Sequence, residues 1–307
     1  MLLGPWFSPR RMRQFRPRIQ ELVNGALDEL EKLRPTADFH EVVSFPLPAL
    51  VICELLGVPC ADRDDFRRWS DDAADMTDEA RSFAGLGALW QYTLELVERK
   101  RHRPEEDVLS DIVVRCGGQT EGTSLEEVAM LGAALLFAGH ETTVAAIDKG
   151  LVLALTEAGV REALEGGPDV VGAAVEEILR LPLPVPVPED GSVTGLPRWA
   201  GADLEIDGRS IRAGELVLLD LQGSNLDEEA FSSPEAFDVS RGQPSHLSFG
   251  HGSHYCLGAP LARLELQLLF GSLFKRCPSL RLAEPVEGLR PRSHLLTGGL
   301  HALPVRW

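Results

Sequence analysis

The sequence predicts a mainly α-helical protein with a minor antiparallel β part. Apolar residues recur at the three- and four-residue spacing of helices through most of the first 180 residues. A proline-rich stretch, Arg180 to Gly191, then ends this pattern, because proline is not tolerated in a helix interior. Beyond it, short alternating segments flank Asp207-Gly208, a dipeptide typical of a two-residue hairpin turn.

Five helices are predicted in the first part of the chain. Ser8 followed by Pro9 is a typical helix start, because serine caps free N–H groups and proline has the φ angle of a first helical residue. The five segments are Ser8 to Leu30, Leu47 to Leu56 closed by Gly57 and Pro59, Asp64 to Met76, Phe83 to Arg101, and Asp107 to Arg115 closed by Gly117 and Gly118. The first of them carries arginines that suit either a solvated face or a docking surface: Arg10, Arg11, Arg13, Arg16 and Arg18.

The longest apolar stretch begins at Ser124 and runs to about Glu157. Ser124 and Glu127 have the spacing of a capping box, in which each side chain bonds the other residue's backbone N–H. A further helix is predicted from about Val170 to Leu181.

The predicted β part follows the proline-rich stretch. Asp203 to Ile206 and Ser210 to Arg212 form the two arms of the predicted hairpin, and Glu215 to Leu219 alternates in the same way. Leu300 to Trp307 is predicted to form a final short strand pair, with Gly298 and Gly299 as its turn.

Composition restricts the class of protein. The 307 residues, 44% of them hydrophobic, can bury a large core, and no linker or repeat divides them, so one domain is expected. The formal net charge of −17 argues against nucleic acid as a partner. The apolar stretch at the N-terminus is too short for a signal peptide, and no membrane span is expected. Five cysteines without a C-x-x-C pair suit reduced thiols in the cytoplasm.

One cysteine stands out by its surroundings. Cys256 follows a glycine-rich run in Phe249 to Arg263 and directly precedes a segment with helical spacing, Leu261 to Lys275. A helix N-terminus favours thiolate over thiol, and a thiolate is a soft metal ligand. Two other interpretations remain open from the residue types alone. Cys256 could be a small buried hydrophobe, or it could bind zinc together with His251 and His254.

The long apolar helix contains an unusual polar segment, Ala138 to Thr143, of sequence AGHETT. A glycine and two threonines weaken a helix, and the hydroxyl of Thr142 can bond the carbonyl of Ala138. A structural explanation is the more common one for such a segment on its own. Similarly, Glu177 and Arg180 share a helix face and can pair, although most pairs of this kind are exposed and contribute little.

Taken together, these segments resemble the cytochromes P450. The Phe–two–Gly–three–Cys–one–Gly pattern is similar to that family's haem-ligand signature, AGHETT to its oxygen-binding segment, and Glu177 with Arg180 to its ExxR pair. The resemblance covers essentially the whole chain and implies the cytochrome P450 fold, one haem-thiolate domain and a monooxygenase. It also implies that Glu177 and Arg180 form a structural network with Arg241.

The resemblance further implies a haem b (iron protoporphyrin IX) site and roles for individual residues. Cys256 would be the iron ligand, and Phe249 would pack near its sulfur and tune its potential. Gly250 and Gly258 would let the loop approach the porphyrin. His254 and Arg198 would bind haem propionates. Ala138 and Gly139 would leave room for dioxygen, Thr142 would hold the oxygen species on the iron, and Glu141 would relay protons to it from solvent.

Partners and alternatives also follow from the resemblance. Electrons would come from a ferredoxin and its NAD(P)H-dependent reductase, and the substrate would be a small apolar organic molecule that reacts with dioxygen. The family's first helices and strands are not found, which indicates a mis-called start, a fragment or a shortened relative. A non-catalytic relative that binds a partner is therefore the main alternative, and a zinc-binding protein is the other.

Overall fold

The computed structural model describes residues 3–119, 124–186, 195–241, 246–292, 295 and 297–307. Within them, helices dominate and short antiparallel strands lie mostly in the last third of the chain, as predicted. The helices are α1 (Pro9–Lys32), α2 (Pro46–Leu56), α3 (Arg63–Ala74), α4 (Glu79–His102), α5 (Val108–Gln119), α6 (Leu125–Thr156), α7 (Val160–Leu164), α8 (Pro168–Arg180), α9 (Leu221–Ser224) and α10 (Ala259–Arg276). The strands are β1 (Ala37–Asp38), β2 (Leu196–Trp199), β3 (Leu204–Ile206), β4 (Arg209–Ile211), β5 (Leu216–Leu219), β6 (Arg281–Leu282) and β7 (Pro304–Arg306).

Helix α6 is the centre of the core. It packs against α2, α3, α4, α5, α7, α8 and α10. Its start is the predicted capping box: Ser124 Oγ accepts from Glu127 N, and the Glu127 carboxylate accepts from Ser124 N at 2.7 Å. In the described part of the chain, α6 is also the one helix long and apolar enough to cross a membrane. Its buried residues Val144, Ile147 and Leu151 show that this apolar character serves the protein core.

The helix starts are largely the predicted ones, and one helix end differs. Ser8 Oγ accepts from Arg11 N at the start of α1, and Gly57 ends α2 with φ +71°. The expectation that Gly117 and Gly118 close α5 is wrong, since the helix continues through both to Gln119. Each glycine disfavours a helix by about 1 kcal/mol relative to alanine. Leu109 and Ile112 are buried in the core and stabilise α5 through packing.

The hairpin is confirmed, and the other strand pairings differ from the prediction. β3 and β4 are joined by Asp207 and Gly208, whose φ angles are +49° and +72°. The partner of β5 is β2, which the sequence analysis did not identify. The expected C-terminal strand pair is wrong: β7 lies between β1 and β6 in a three-stranded sheet. Among the described residues on either side of the Gly298-Gly299 turn, Pro291 and Leu300 form an isolated bridge. The proline-rich stretch is non-helical from Leu181 to residue 186, and the rest lies outside the described residues.

A buried ion pair connects α6 to the π-helical turn His40–Ser44. His40 Nδ1 lies 2.8 Å from Asp148 Oδ2, and both side chains are buried. Burial by itself lowers the pKa of His40, but the hydrogen bond and the charge of Asp148 outweigh it, so the pKa is raised above 6.5. The folded protein therefore binds this proton more tightly than the unfolded chain does.

We expect this pair to make stability depend on pH. The contribution is fully present below the ordinary histidine pKa of 6.5 and is lost as the pH rises through the raised pKa. In His40→Gln, the free energy of unfolding should no longer fall over this range. Urea unfolding at a series of pH values measures the difference. His102→Gln, which removes a histidine that is 72% exposed, should follow the wild-type curve of unfolding free energy against pH. If the His40→Gln curve runs parallel to that of the wild type, the pH dependence does not come from the pair of His40 and Asp148.

Candidate functional site

The loop before α10 presents Cys256 on the surface. The loop closes with a hydrogen bond from Cys256 N to Phe249 O at 2.8 Å. Gly250 and Gly252 have φ angles of +71° and +69°, a left-handed conformation that strains residues with side chains. Cys256 is exposed and lies three residues before Ala259, the first residue of α10. Cys256 therefore lies near a helix N-terminus, as predicted.

Neither of the other interpretations of Cys256 is supported by this geometry. A structural hydrophobe would be buried, as Cys53 and Cys277 are, whereas Cys256 is exposed. Zinc needs several protein ligands at one point. In the described part of the chain, no three His, Cys, Asp or Glu side chains are grouped to hold a metal ion, so His251, His254 and Cys256 do not form such a site.

The other residues expected around a haem lie on the cysteine loop and on β2. The Phe249 ring packs between Tyr255, 6.3 Å away between ring centroids, and the guanidinium of Arg263, 4.5 Å above it. His254 is exposed at the end of a short 3₁₀ helix. Arg198 is exposed on β2, where its Nη1 donates to Pro197 O at 2.8 Å. A Cβ at Gly258 would lie 3.9 Å from Cys256 Sγ, an ordinary contact.

The polar segment of α6 has an exposed side and a buried side. Thr142 is exposed and its hydroxyl donates to Ala138 O at 2.9 Å, the predicted bond to the preceding turn. Ala138 lines a cavity of about 710 Å³ whose other walls are apolar, including Phe83, Trp90 and Phe137. Because successive helix residues are about 100° apart, Glu141 faces a different side of α6 from Thr142, the next residue. It points into the protein and is 1% exposed.

Gly139 lies against a neighbouring helix. A Cβ built there would lie 2.7 Å from Cδ1 of Ile52 on α2, closer than side chains tolerate. The missing side chain thus allows α6 and α2 to approach closely. The role of Gly139 in making room for dioxygen stays a prediction.

Glu141 lies among ionisable groups from three parts of the chain. Arg292 Nη1 is 3.6 Å from its Oε2, and His140 Nδ1 is 3.5 Å from its Oε1. Asp71 also comes within hydrogen-bonding reach of the Glu141 carboxyl group. Burial and the negative charge of Asp71 raise the pKa of Glu141 to about 7. A carboxyl group with this pKa can both hold and release a proton near neutral pH.

Glu177, Arg180 and Arg241 form the predicted buried network. Arg180 Nε and Nη2 donate to the two Glu177 carboxylate oxygens at 2.8 and 2.9 Å, and both residues are 1% exposed. Arg241 Nε donates to Glu177 Oε2 at 3.2 Å. Arg180 also donates to the backbone carbonyls of Asn225, Pro234 and Ala236. The network therefore attaches the chain that leads to the cysteine loop to the end of α8.

A second set of bonds holds the start of the cysteine loop. Ser248 Oγ donates to Leu179 O at 2.8 Å, and Leu247 N donates to the side-chain oxygen of Asn225 at 2.6 Å. Glu176 pairs with His246 at 3.2 Å and with Arg263 at 2.6 Å. Burial favours the neutral form of Glu176, but the hydrogen bonds from His246 and Arg263 outweigh it and lower its pKa.

Sequence reasoning did not identify Asp71 and Arg292 as neighbours of Glu141, nor Glu176 as the partner of Arg263. Asp71 lies in the acidic helix α3, and Arg292 lies 221 residues later in the chain. Neither stands in a pattern that would mark it in the sequence. Only the packing of α3, α6 and the C-terminal segment brings these groups together.

Comparisons with known proteins agree on one family. The sequence model of the family described as cytochrome P450 matches residues 169–287. The chain is 42% identical over 306 residues to pentalenolactone synthase of Streptomyces exfoliatus, covering 99% of this chain and 75% of that protein. It is 38% identical over 304 residues to mycinamicin IV hydroxylase/epoxidase of Micromonospora griseorubida, covering 98% and 75%. The crystal structure of mycinamicin VIII C21 methyl hydroxylase from Micromonospora griseorubida superposes with a TM-score of 0.90 at 33% identity, covering 100% of this chain and 76% of that one.

Proposed function

Because this chain belongs to the cytochrome P450 family and is a haem monooxygenase, we propose that it inserts one oxygen atom of dioxygen into a small apolar molecule, with electrons from a ferredoxin. The observation that carries this proposal is the arrangement of Cys256 on its loop, with Thr142 open to the surface and Glu141 buried beside it on α6. The reaction needs two protons for each oxygen atom inserted. A buried carboxyl group that titrates near neutral pH is suited to supply them.

The residues present fit a haem b. One cysteine cannot hold a free metal ion, and no metal-binding group of three side chains exists among the described residues. One exposed thiol is nevertheless sufficient where a porphyrin supplies four nitrogen ligands. We assign Cys256 as the iron ligand, His254 and Arg198 to the propionates, and Phe249, Gly250, Gly258, Ala138 and Gly139 to the walls. When bound, the haem supplies the iron at which dioxygen is activated.

The side chains of α6 have separate tasks in this proposal. The Thr142 hydroxyl is held by the Ala138 carbonyl, which leaves its oxygen able to accept a hydrogen bond from the side that faces solvent. The Glu141 carboxyl group holds a proton and releases it toward the reaction. Its burial raises its pKa, so it is not fully ionised at neutral pH.

The cavity beside Ala138 supports an apolar substrate. Its walls expose almost no polar surface: besides Ala138 they comprise Phe83, Leu86, Leu89, Trp90, Met130, Phe137 and small residues. Such walls select by shape and apolar contact and exclude water from the bound molecule. Two relatives are named for the synthesis of pentalenolactone and the hydroxylation or epoxidation of mycinamicin IV. We therefore place the substrate among apolar products of secondary metabolism.

A groove near the cysteine loop supports ferredoxin as the electron donor. This open groove of about 980 Å³ lies between α1, α8 and α10 and reaches Tyr255, the neighbour of Cys256. Two exposed cations line it, Arg16 and Lys275, together with one exposed acid, Asp169. Arg18 is less available, because it is paired with Glu54 and Glu21 within the chain. Positive charge on an otherwise acidic protein would steer an acidic ferredoxin to this face.

Reversing these charges should slow reduction by ferredoxin. We expect Arg16→Glu and Lys275→Glu together to reduce the bimolecular rate by about tenfold or more at low salt, and added salt to slow the wild type. Stopped-flow mixing of the holoenzyme with reduced [2Fe–2S] ferredoxin under carbon monoxide measures this rate. Arg103→Glu, on an exposed residue outside the groove, is the matched control. A rate that is indifferent to both salt and charge reversal would contradict ferredoxin docking here.

A further inference from the structure

Three charged side chains from distant parts of the chain meet beneath the α6 polar segment. Asp71 comes from α3, Glu141 from α6 and Arg292 from the C-terminal segment. Arg292 Nη2 donates to Asp71 Oδ1 at 2.8 Å, and its Nη1 lies 3.6 Å from Glu141 Oε2. Asp71 is also within hydrogen-bonding reach of Glu141. We call these three residues the carboxyl pair with its arginine.

The cluster is short of one positive charge. Glu141 is 1% exposed, and its Oε1 has no hydrogen-bond donor among the described residues. With both carboxyl groups ionised, one guanidinium would face two negative charges in a buried place. Carboxylates so close together disfavour ionising both, so one proton is shared between them. A proton held between Glu141 and Asp71 would relieve this repulsion.

Exposure increases step by step from Glu141 to Asp71. The side chain of Glu141 is 1% exposed, that of Arg292 11% and that of Asp71 29%. Asp71 is therefore the member of the cluster that water reaches most readily. A guanidinium group does not give up its proton in proteins, so Arg292 cannot relay a proton itself. It can hold the two carboxyl groups at a fixed separation.

Other titratable groups also face Glu141. His140 lies 3.5 Å away on the same helix, and its Nε2 lies 3.2 Å from Phe45 O. The charge of His40 lowers the pKa of Glu141, as does that of Arg292, but His40 is held by Asp148. Neither histidine connects Glu141 to the surface, because both are buried. Asp71 is thus the partly exposed acid within hydrogen-bonding reach of Glu141.

We propose that Asp71 and Arg292 are positioning residues for proton delivery, Asp71 passing protons from solvent to Glu141 and Arg292 holding the two carboxyl groups together. The inference rests on the proposed role of Glu141. In each transfer one proton moves from water to the Asp71 carboxylate and on to the Glu141 carboxylate, and no electrons move. Asp71 is then ionised again and ready for the next proton.

Infrared titration of the purified protein tests the cluster without turnover. The carboxyl C=O band that Glu141→Gln removes reports the protonation of Glu141. We expect Asp71→Asn to lower the titration midpoint by about one pH unit or more, because a neighbouring negative charge is lost. Arg292→Gln should raise it by a similar amount, because a positive charge is lost. Asp72→Asn is the matched control: Asp72 is the next residue on α3 and pairs with Arg81 at 2.6 Å.

Turnover separates this inference from the proposed function. In the holoenzyme, Asp71→Asn and Arg292→Gln should each lower the coupling efficiency, the fraction of electrons used to form product, several-fold. The two substitutions should shift the pH profile of the coupling efficiency in opposite directions. Arg292→Lys should partly restore it. If Glu141→Gln leaves product formation unchanged, the proposed role of Glu141 fails. If Glu141→Gln impairs it but neither midpoint moves in folded Asp71→Asn and Arg292→Gln, only the carboxyl pair with its arginine is overturned. Circular dichroism establishes that the variants are folded.

Discussion

Replacing Cys256 by serine is expected to abolish oxygenation while leaving the protein folded. A serine hydroxyl is a harder and far weaker donor than a thiolate, so the electron density that the proposed sulfur ligand would supply to the iron should be lost. Carbon monoxide added to the reduced variant should no longer give the far-red-shifted Soret band of thiolate-bound haem. The fold should be retained, because Cys256 is exposed and lies outside the packed core.

The measurement is the carbon monoxide difference spectrum together with the thermal midpoint of both proteins. Cys116→Ser is the matched control, because Cys116 is also a free cysteine and lies on α5, away from the loop. We expect it to keep the thiolate spectrum and product formation. A Cys256→Ser protein that retains the far-red-shifted band would refute the assignment of the ligand.

Replacing Arg180 by alanine is expected to have the largest effect on stability. The substitution leaves Glu177 as a buried charge with much less compensation, and it removes the donor that bonds the carbonyls of Asn225 and Ala236. Breaking a buried pair in this way costs about 3–5 kcal/mol. Urea unfolding should show this loss in the free energy of unfolding.

Arg101→Ala is a closely matched control for this substitution. Glu98 and Arg101 have the same three-residue spacing as Glu177 and Arg180, and Arg101 Nη2 lies 2.6 Å from Glu98 Oε1. These side chains are 46% and 50% exposed, so their removal should cost at most about 0.5 kcal/mol. Similar losses in the two variants would mean that burial does not determine the strength of the pair.

The features that could be predicted from the sequence are those with local causes. Ser8 with Pro9, and Ser124 with Glu127, start helices through bonds that span three residues, and both starts were predicted. Asp207 and Gly208 form the hairpin turn because their own backbones adopt positive φ angles. The cysteine loop was predicted from its glycines for the same reason. In each case the information lies within a few residues of the feature.

The features that were not predicted depend on distant partners. Strand β2 contains Pro197 and shows no alternation of polar and apolar residues that would mark it as a strand. Its partner β5 lies about 20 residues later in the chain. Strand β1 has two residues, and its partner β7 is near the other end of the chain. Asp71 and Arg292 look like ordinary surface charges. Only tertiary packing places them against Glu141 and makes them candidates for a function.

The bonds between the end of α8 and residues 246–248 tie the segment that enters the cysteine loop to the helical core. The Leu179 carbonyl, the Glu176 carboxylate and the Asn225 side chain hold this segment. The conformational entropy of this segment is therefore largely lost during folding. A cofactor that binds there meets a pre-organised donor, so less of its binding free energy is spent on ordering the chain. On this basis, affinity for the cofactor and stability of the scaffold are thermodynamically linked through one short stretch of backbone.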